Sequence, residues 1–406
     1  MTANPPTPTA DATTDLTFER HIAAPPASVA AAITSPVGLT TWLCDEVRIE
    51  KREGGRLAFY WHDGYQAFGR WTTYAPPATL AWRWRSDEDD WSTVTFELSE
   101  HKAGADGEDG VGTDLSVSHA GVPAKDVANW AKAWGISLDA LDVYVRTGKN
   151  DRLLRRPMLG VSPNFNRSEP EDTAPGVPMG TPTADGGAGK AGMLAGDRLM
   201  SLAGVPLNAF SEIGPALDGH RAGEDVPVVV LRDGKELTLQ VTLGSRPQPE
   251  LAQTAEAVLD QMTARTRAWF EFLDGSLDGL SEAQAEHPFA EGEWSVKQVL
   301  GHIILGERFS HEWLTRLHGD DLPLDWPTTY KPAEAHFAGQ PLAHLVTLLR
   351  SDMEASIAMT RTMLAEDPRP PVFHQLAESA YWSASHLDDH REQIQKTAEA
   401  ARAVVK

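Results

Sequence analysis

Two histidines four residues apart, His386 and His390, lie near the end of the chain in the stretch SASHLDDHREQIQ. On a helix that spacing sets two imidazoles side by side on one face, where they can grip a single metal ion. A third ligand must come from another segment. The candidate is His302 in WSVKQVLGHIILGE, because Val299, His302, Gly306, Phe309 and Trp313 recur at helical spacing and form one inward stripe. Three neutral imidazoles with an open fourth position describe a reactive zinc or nickel centre. Each ring must be deprotonated to coordinate, so ion release is expected below about pH 6, near and beneath the ordinary histidine pKa. The residues also admit a blander reading, three unrelated histidines, since nine of the fourteen in the chain lie after residue 280. Against coincidence, helix-period apolar residues run through both segments and would bring the imidazoles toward one core, where unpaired polar groups are costly.

The elements that must position these side chains are helices. Apolar spacings of three and four predict helices over about 251–279, 294–319, 340–365 and 372–403. The long connection 320–339 holds Pro323, Pro327 and Pro332, and its Trp326, Tyr330 and His336 either anchor the loop or cap the metal pocket. Trp294, Ser295, His302, His386, His390, Gln393 and Ile394 reproduce a pattern of Trp-Ser, an apolar run ending in His, and a later His-x-x-x-His-x-x-Gln-Ile. In this the segment resembles the DinB-like four-helix-bundle superfamily. The resemblance implies an all-α bundle with His302, His386 and His390 as ligands of a divalent metal. It also implies, for some members, thiol-dependent S-transferase or isomerase chemistry.

With 406 residues the chain is too long for one ordinary core, and two or three domains are expected. It carries 58 Asp and Glu against 36 Lys and Arg, a formal charge of -22. That balance disfavours nonspecific binding to nucleic acid or to an anionic membrane, both of which need cationic surface. The start, MTANPPTPTADATTD, has neither a positive region nor an apolar stretch, so a disordered tail over residues 1–14 and a cytoplasmic protein are expected. The single cysteine, Cys44, excludes an intrachain disulfide. Asp45 and Glu46 beside it disfavour a thiolate, which points to a buried structural thiol.

Composition changes along the chain. Eight of thirteen tryptophans precede residue 135 and none lies between 151 and 248, a stretch rich in Gly and Pro. Three domains follow, over 15–150, 155–246 and 250–406. In the first, LTFERHIAA and the alternating segments EVRIEK, GRLAFYW, AFGRWTTY, TLAWRWR, WSTVTFELSE and TDLSVSHA predict antiparallel strands, and a helix runs from about Lys125 to Arg146. The motifs TTWLCDEV, EGGRLAF and GRWTTYAPPATLAWRW resemble the START-like (SRPBCC) helix-grip superfamily, in the branch named for activators of a heat-shock chaperone ATPase. The resemblance implies an α+β fold and a small apolar ligand between sheet and helix. Trp61, Trp71, Trp82, Trp84, Trp130 and Trp134 would then line a pocket, or else simply fill the core.

The middle segment runs through Ala191-Gly192-Met193 and Ala195-Gly196-Asp197 to a hairpin at Asp233-Gly234 that ends in Val-Thr-Leu-Gly. This order resembles bacterial PDZ domains of high-temperature-requirement proteases, a β-rich fold. The resemblance implies that Leu159, Gly160 and Val161 form the loop that receives a free peptide C-terminus, with the following strand pairing with the peptide. EDTAPGVPMGTPTADGG reads as a Pro- and Gly-rich insertion near that groove. Gly189-Lys190 is followed by Ala191 rather than Ser or Thr, which excludes a phosphate-binding P-loop. For the whole chain two readings stand: a metal-dependent transferase or hydrolase, and a non-enzymatic scaffold or chaperone-associated protein whose metal is structural or vestigial.

Overall fold

The computed structural model describes residues 13–404 apart from 62–63, 87–90, 102–111, 164–173, 218, 247, 291 and 319–334. The expected tail lies outside the described residues up to residue 12, as do Trp326 and Tyr330, and the chain is already in a strand at Thr13. Two compact units, Met1–Gln248 and Pro249–Lys406, make up the chain.

The first unit opens with β1 (Thr13–Ile22), α1 (Pro26–Thr34) and α2 (Pro36–Trp42). Then come β2 (Glu46–Ile49), β3 (Arg56–Tyr60), β4 (Gln66–Ala75), β5 (Thr79–Arg85), β6 (Ser92–His101), β7 (Gly112–Pro123) and α3 (Val127–Thr147). The strands form one antiparallel sheet in the order β1-β7-β6-β5-β4-β3-β2. Period-two alternation sends Val94, Phe96 and Leu98 of β6 and Leu115 and Val117 of β7 inward. Against that face α3 lays Trp134, whose ring meets those of Phe18, Trp84 and Phe96. The period-3.6 stripe continues in the buried Leu138, Leu141 and Val145. Each fully buried side chain of this kind contributes about 1.5–3 kcal/mol, and this sheet–helix core is what holds the helix grip closed.

The short helix α2 was not legible in the sequence. Ser35 caps it, its hydroxyl accepting from the Gly38 amide at 3.0 Å, and Pro36 presets the first turn. A Cβ on Gly38 would sit 2.3 Å from the Ala32 carbonyl oxygen, so the turn between α1 and α2 closes only around glycine. Cys44 follows α2 with its thiol fully buried, and burial pushes that thiol up to about 12, as the flanking acids led us to expect. Beyond α3, α4 (Asp151–Arg155) brings Arg152 to Asp45 at 3.0 Å.

The same unit continues with β8 (Val161–Pro163), β9 (Val177–Pro182), α5 (Gly187–Lys190), β10 (Arg198–Leu202) and β11 (Val205–Pro206). It ends with α6 (Ile213–Ala216), β12 (Asp225–Arg232) and β13 (Lys235–Thr242). Their sheet runs β13-β12-β10-β9-β8, with β11 paired to β10. Asp233 and Gly234 both adopt positive φ, 50° and 75°, which is the backbone a two-residue hairpin needs between β12 and β13. The Pro- and Gly-rich stretch corrects the expectation of an insertion: Val177–Pro182 is the interior strand β9, paired on both sides, with Val177 and Met179 in the core. Prolines at 178 and 182 disguised it, because proline argues against a central strand.

The second unit is helical: α7 (Ala255–Leu277), α8 (Glu282–Ala285), α9 (Val296–His318), α10 (Leu342–Glu366) and α11 (Pro370–Val404). The four long helices start and stop close to the predicted boundaries. Thr254 caps α7 through the Ala257 amide, and Pro370 and Pro371 open α11. The core joins Trp269, Leu273, Val299, Ile303, Leu345, Leu349, Leu387 and Ile394, supplied by all four long helices. Lys297, almost wholly buried, is held by Glu286 at 2.8 Å and Glu282 at 3.2 Å, which pins α8 onto the start of α9.

Candidate metal centre

Ser295 explains the Trp-Ser pair before α9. Its hydroxyl accepts from the Gln298 amide at 3.3 Å while the Gln298 side chain accepts from the Ser295 amide at 2.8 Å, a reciprocal cap that fixes where the helix begins. Two turns later His302 points toward α11. There His386 and His390 share a face, as four-residue spacing requires. The Nε2 atoms of His302 and His386 are 3.2 Å apart and those of His390 and His386 3.1 Å apart. All three rings are half-buried. Trp294 walls the cluster, 4.9 Å from the His302 ring centroid and stacked at 19° on His390.

The donor chemistry of this cluster fits a cation. His386 Nε2 carries either one proton or one lone pair, so it can make a full hydrogen bond to only one of its two neighbouring Nε2 atoms. Around a tetrahedral ion with bonds of 2.0–2.1 Å, ligand atoms sit about 3.3 Å apart, close to the spacing found here. His390 Nδ1 donates to Gln393 Oε1 at 2.9 Å, which leaves Nε2 as the lone pair facing its partners. Burial, reinforced by the neighbouring imidazoles, pushes His386 down to about 4, and burial likewise lowers His390. Proton competition for these two rings therefore begins at lower pH than the ordinary histidine value used to set the expected release near 6. The acids between and beyond the two histidines, Asp388, Asp389 and Glu392, are exposed.

Sequence reasoning missed Glu307. This carboxyl is buried on α9, accepting from Ser356 at 2.8 Å and Ser383 at 3.3 Å, and burial raises its pKa. Ser356 in turn meets His311 Nε2 at 3.0 Å. The signal was present: Leu300, Ile304, Glu307, His311 and Leu314 follow spacings of four and three, which places an acid and an imidazole in core positions. Ser383, one turn before His386, also borders a cleft of about 390 Å³ between α9 and α11, walled by Phe309, Trp313, Ser379 and the exposed Trp382.

The other candidate residues fall differently. Trp61, Trp130 and Trp134 border a cleft of about 410 Å³, together with Leu43 and Tyr65. Trp71, Trp82 and Trp84 do not border it: each is at most 1% exposed and interlocks with its neighbours at centroid distances of 5.3 and 5.7 Å. Strand alternation alone could not separate an inner face that packs from one that lines a cavity. Buried beside them, His119 accepts from Trp134 Nε1 at 3.0 Å through Nδ1, and its Nε2 lies 2.8 Å from the Ser92 hydroxyl and 3.4 Å from Trp84 Nε1. Leu159 is buried, Gly160 has φ 77°, and Val161 opens β8, the terminal strand of its sheet. A Cβ at Gly160 would approach the Gly186 Cα to 3.0 Å, so this loop closes against a second glycine.

One unit is thus a helical bundle with a three-histidine cluster; the other joins a helix-grip segment to a PDZ-type sheet. Comparison with known families gives the same three parts in the same order. Residues 23–146 match the activator of Hsp90 ATPase homolog 1-like protein family, 157–243 the PDZ domain family, and 259–394 the DinB superfamily. Among curated proteins, a putative zinc metalloprotease of Mesorhizobium japonicum is 38% identical over 76 residues, 19% of this chain and 19% of its own length. The periplasmic pH-dependent serine endoprotease DegQ of Escherichia coli is 34% identical over 89 residues, 22% of this chain and 19% of its own. The chain therefore spans about a fifth of the length of these relatives. Among solved structures, CalU16 from Micromonospora echinospora is 26% identical, covering 32% of this chain and 74% of that one at a TM-score of 0.28. The Aha1 dimer from Colwellia psychrerythraea is 18% identical, covering 32% and 95% at 0.29. No helix among the described residues is long and apolar enough to cross a membrane.

Proposed function

We propose that the bundle holds one divalent ion, zinc or nickel, through Nε2 of His302, His386 and His390, and that the chain is a metal-dependent thiol S-transferase or hydrolase. The observation that carries this reading is the convergence of three Nε2 atoms with contacts of 3.1 and 3.2 Å, one of them oriented by Gln393. The chemistry such an ion supplies is Lewis acidity, lowering the pKa of a water or thiol to make a nucleophile near neutral pH. The protein's own part is positional. Trp294 excludes water from one side of the cluster, and the cleft walled by Trp313 and Trp382 receives the apolar part of an electrophilic substrate. Metal analysis of the purified protein, followed by thiol-transfer and hydrolysis assays with electrophilic substrates, tests it. A protein that binds no ion, or is inactive when loaded, leaves the scaffold reading.

A binding role for the other unit rests on separate features: an edge strand, β8, that begins at Val161 after the loop residues Leu159 and Gly160, and the aromatic cleft beside α3. These support a free C-terminal peptide and a small apolar ligand as partners. We further propose functional domains over 15–150, 155–246 and 250–406 and a cytoplasmic site of action, the latter resting on the single buried thiol and checked by cell fractionation.

A further inference from the structure

The outward face of the seven-stranded sheet carries a second convergence of ligand-type side chains. Register sets His21 of β1 directly opposite Asp114 of β7, and on the other side of β7 places His101 of β6 one diagonal step away on the same face. Three adjacent strands thus contribute one side chain each. His21 Nδ1 lies 3.2 Å from Asp114 Oδ1, and His101 Nδ1 lies 3.0 Å from both carboxylate oxygens. The two imidazoles meet edge to face with centroids 4.3 Å apart. We propose that His21, His101 and Asp114 form a metal site for a divalent transition ion such as zinc(II), nickel(II) or copper(II).

Donor type selects the ion. Two imidazole nitrogens and one carboxylate oxygen suit zinc, nickel and copper, whereas calcium and magnesium demand oxygen ligands. Spacing suits it as well, since bonds of 2.0–2.1 Å put tetrahedral ligand atoms about 3.3 Å apart, and the contacts to Asp114 require shifts of only a few tenths of an ångström. Space for the rings is built into the backbone. Gly112 stands opposite His101 in the ladder, and a Cβ there would fall 2.5 Å from His21 Cε1. A side chain at 112 would therefore drive the His21 ring away from its partners. One rung along the same face, Ser116 is flanked in register by Glu19 and Glu97, and it donates to Glu19 at 2.9 Å. These carboxylates add negative potential beside the site, within a Debye length. Three of the usual ligand positions are filled by protein and the rest face solvent, so the ion would exchange freely and tie the edge strand β1 to β7 and β6.

The test uses the full-length chain, freed of metal with chelator and titrated with zinc(II) or nickel(II) by equilibrium dialysis, with circular dichroism to check folding. His386→Ala/His390→Ala removes the bundle cluster, and this variant should still bind one ion per chain. Adding His101→Ala or Asp114→Asn should abolish that ion, with a loss beyond the roughly 10- to 100-fold typical when a group that merely orients a ligand is removed. In the wild-type background His101→Ala alone should lower the count by one and eliminate a zinc-dependent rise in the melting temperature of the first unit. If the bundle binds nothing, the wild type binds one ion and His101→Ala removes it, so the two sites fail independently. The proposal is overturned if the bundle-cleared protein binds no ion, or if its ion survives both His101→Ala and Asp114→Asn.

Discussion

Replacing Gln393 by alanine removes the oxygen that receives the His390 Nδ1–H at 2.9 Å while leaving all three imidazoles in the chain. The hydrogen bond is half-buried, and such a bond contributes about 1 kcal/mol net. Its loss also frees the ring to rotate and to place its proton on Nε2, the atom that must stay bare. Groups that orient a metal-binding histidine in this way are worth roughly 10- to 100-fold in affinity, and with one of three ligands affected we expect about tenfold, or about 1.4 kcal/mol. Gln393→Glu keeps an acceptor at the same place and adds charge, so it should bind as tightly as wild type or tighter. Competition against a chromophoric chelator of known affinity reads both variants, with His390→Ala as the limit of complete ligand loss. Equal affinity for wild type and Gln393→Ala would refute the assigned tautomer and with it the argument that Nε2 is the coordinating atom.

His302→Ala should weaken metal binding as severely as His386→Ala, although 84 residues separate the two. A folded His302→Ala protein with wild-type stoichiometry and affinity at the bundle would defeat the three-histidine arrangement. Burial holds His119 at about 4 in the native state against 6.5 unfolded, so the native state binds fewer protons. The associated stability is complete above 6.5 and is lost as pH falls from there through about 4, up to about 3 kcal/mol, measurable by urea titration of tryptophan fluorescence and absent in His119→Gln. Free C-terminal peptides selected on the first unit should lose affinity on C-terminal amidation; indifference to amidation would mark this sheet as a spacer. Apolar dyes or fatty acids should quench tryptophan fluorescence through Trp61, Trp130 and Trp134, and Trp130→Ala should diminish the effect, whereas quenching that is unchanged by Trp130→Ala would place the ligand elsewhere.

The bundle was the most legible part of the chain because its signals are periodic and local. Val299, His302, Gly306, Phe309 and Trp313 advance by three and four, and the structure shows the helix they predict running from Val296 to His318. Glu307 escaped notice for the opposite reason: a carboxyl in sequence looks solvated, and only the packing of Ser356 and Ser383 around it shows that it is inside. In the sheet of the first unit, alternation identified the inner face. It could not distinguish Trp82, packed between Trp71 and Trp84, from Trp61, just past the end of β3, which borders the cleft, because that difference arises from where α3 lies against the sheet. Strand β9 was hidden by its prolines, and the His21–His101–Asp114 group by the fact that strand register, unlike helix spacing, is not written in any one stretch of sequence.

The solitary thiol of Cys44 has a use that reaches beyond its packing. Since it is fully buried and held at about 12, a thiol-reactive reagent at neutral pH meets almost no thiolate in the native molecule. In an opened molecule the same group returns to an ordinary thiol and reacts. With one cysteine in 406 residues, each label reports opening around α2, with no second site to confuse the reading. The molecule thus carries its own clock for breathing of the helix-grip core: the slow labelling rate at low reagent reports the free energy of that opening, and its plateau at high reagent reports the opening rate itself.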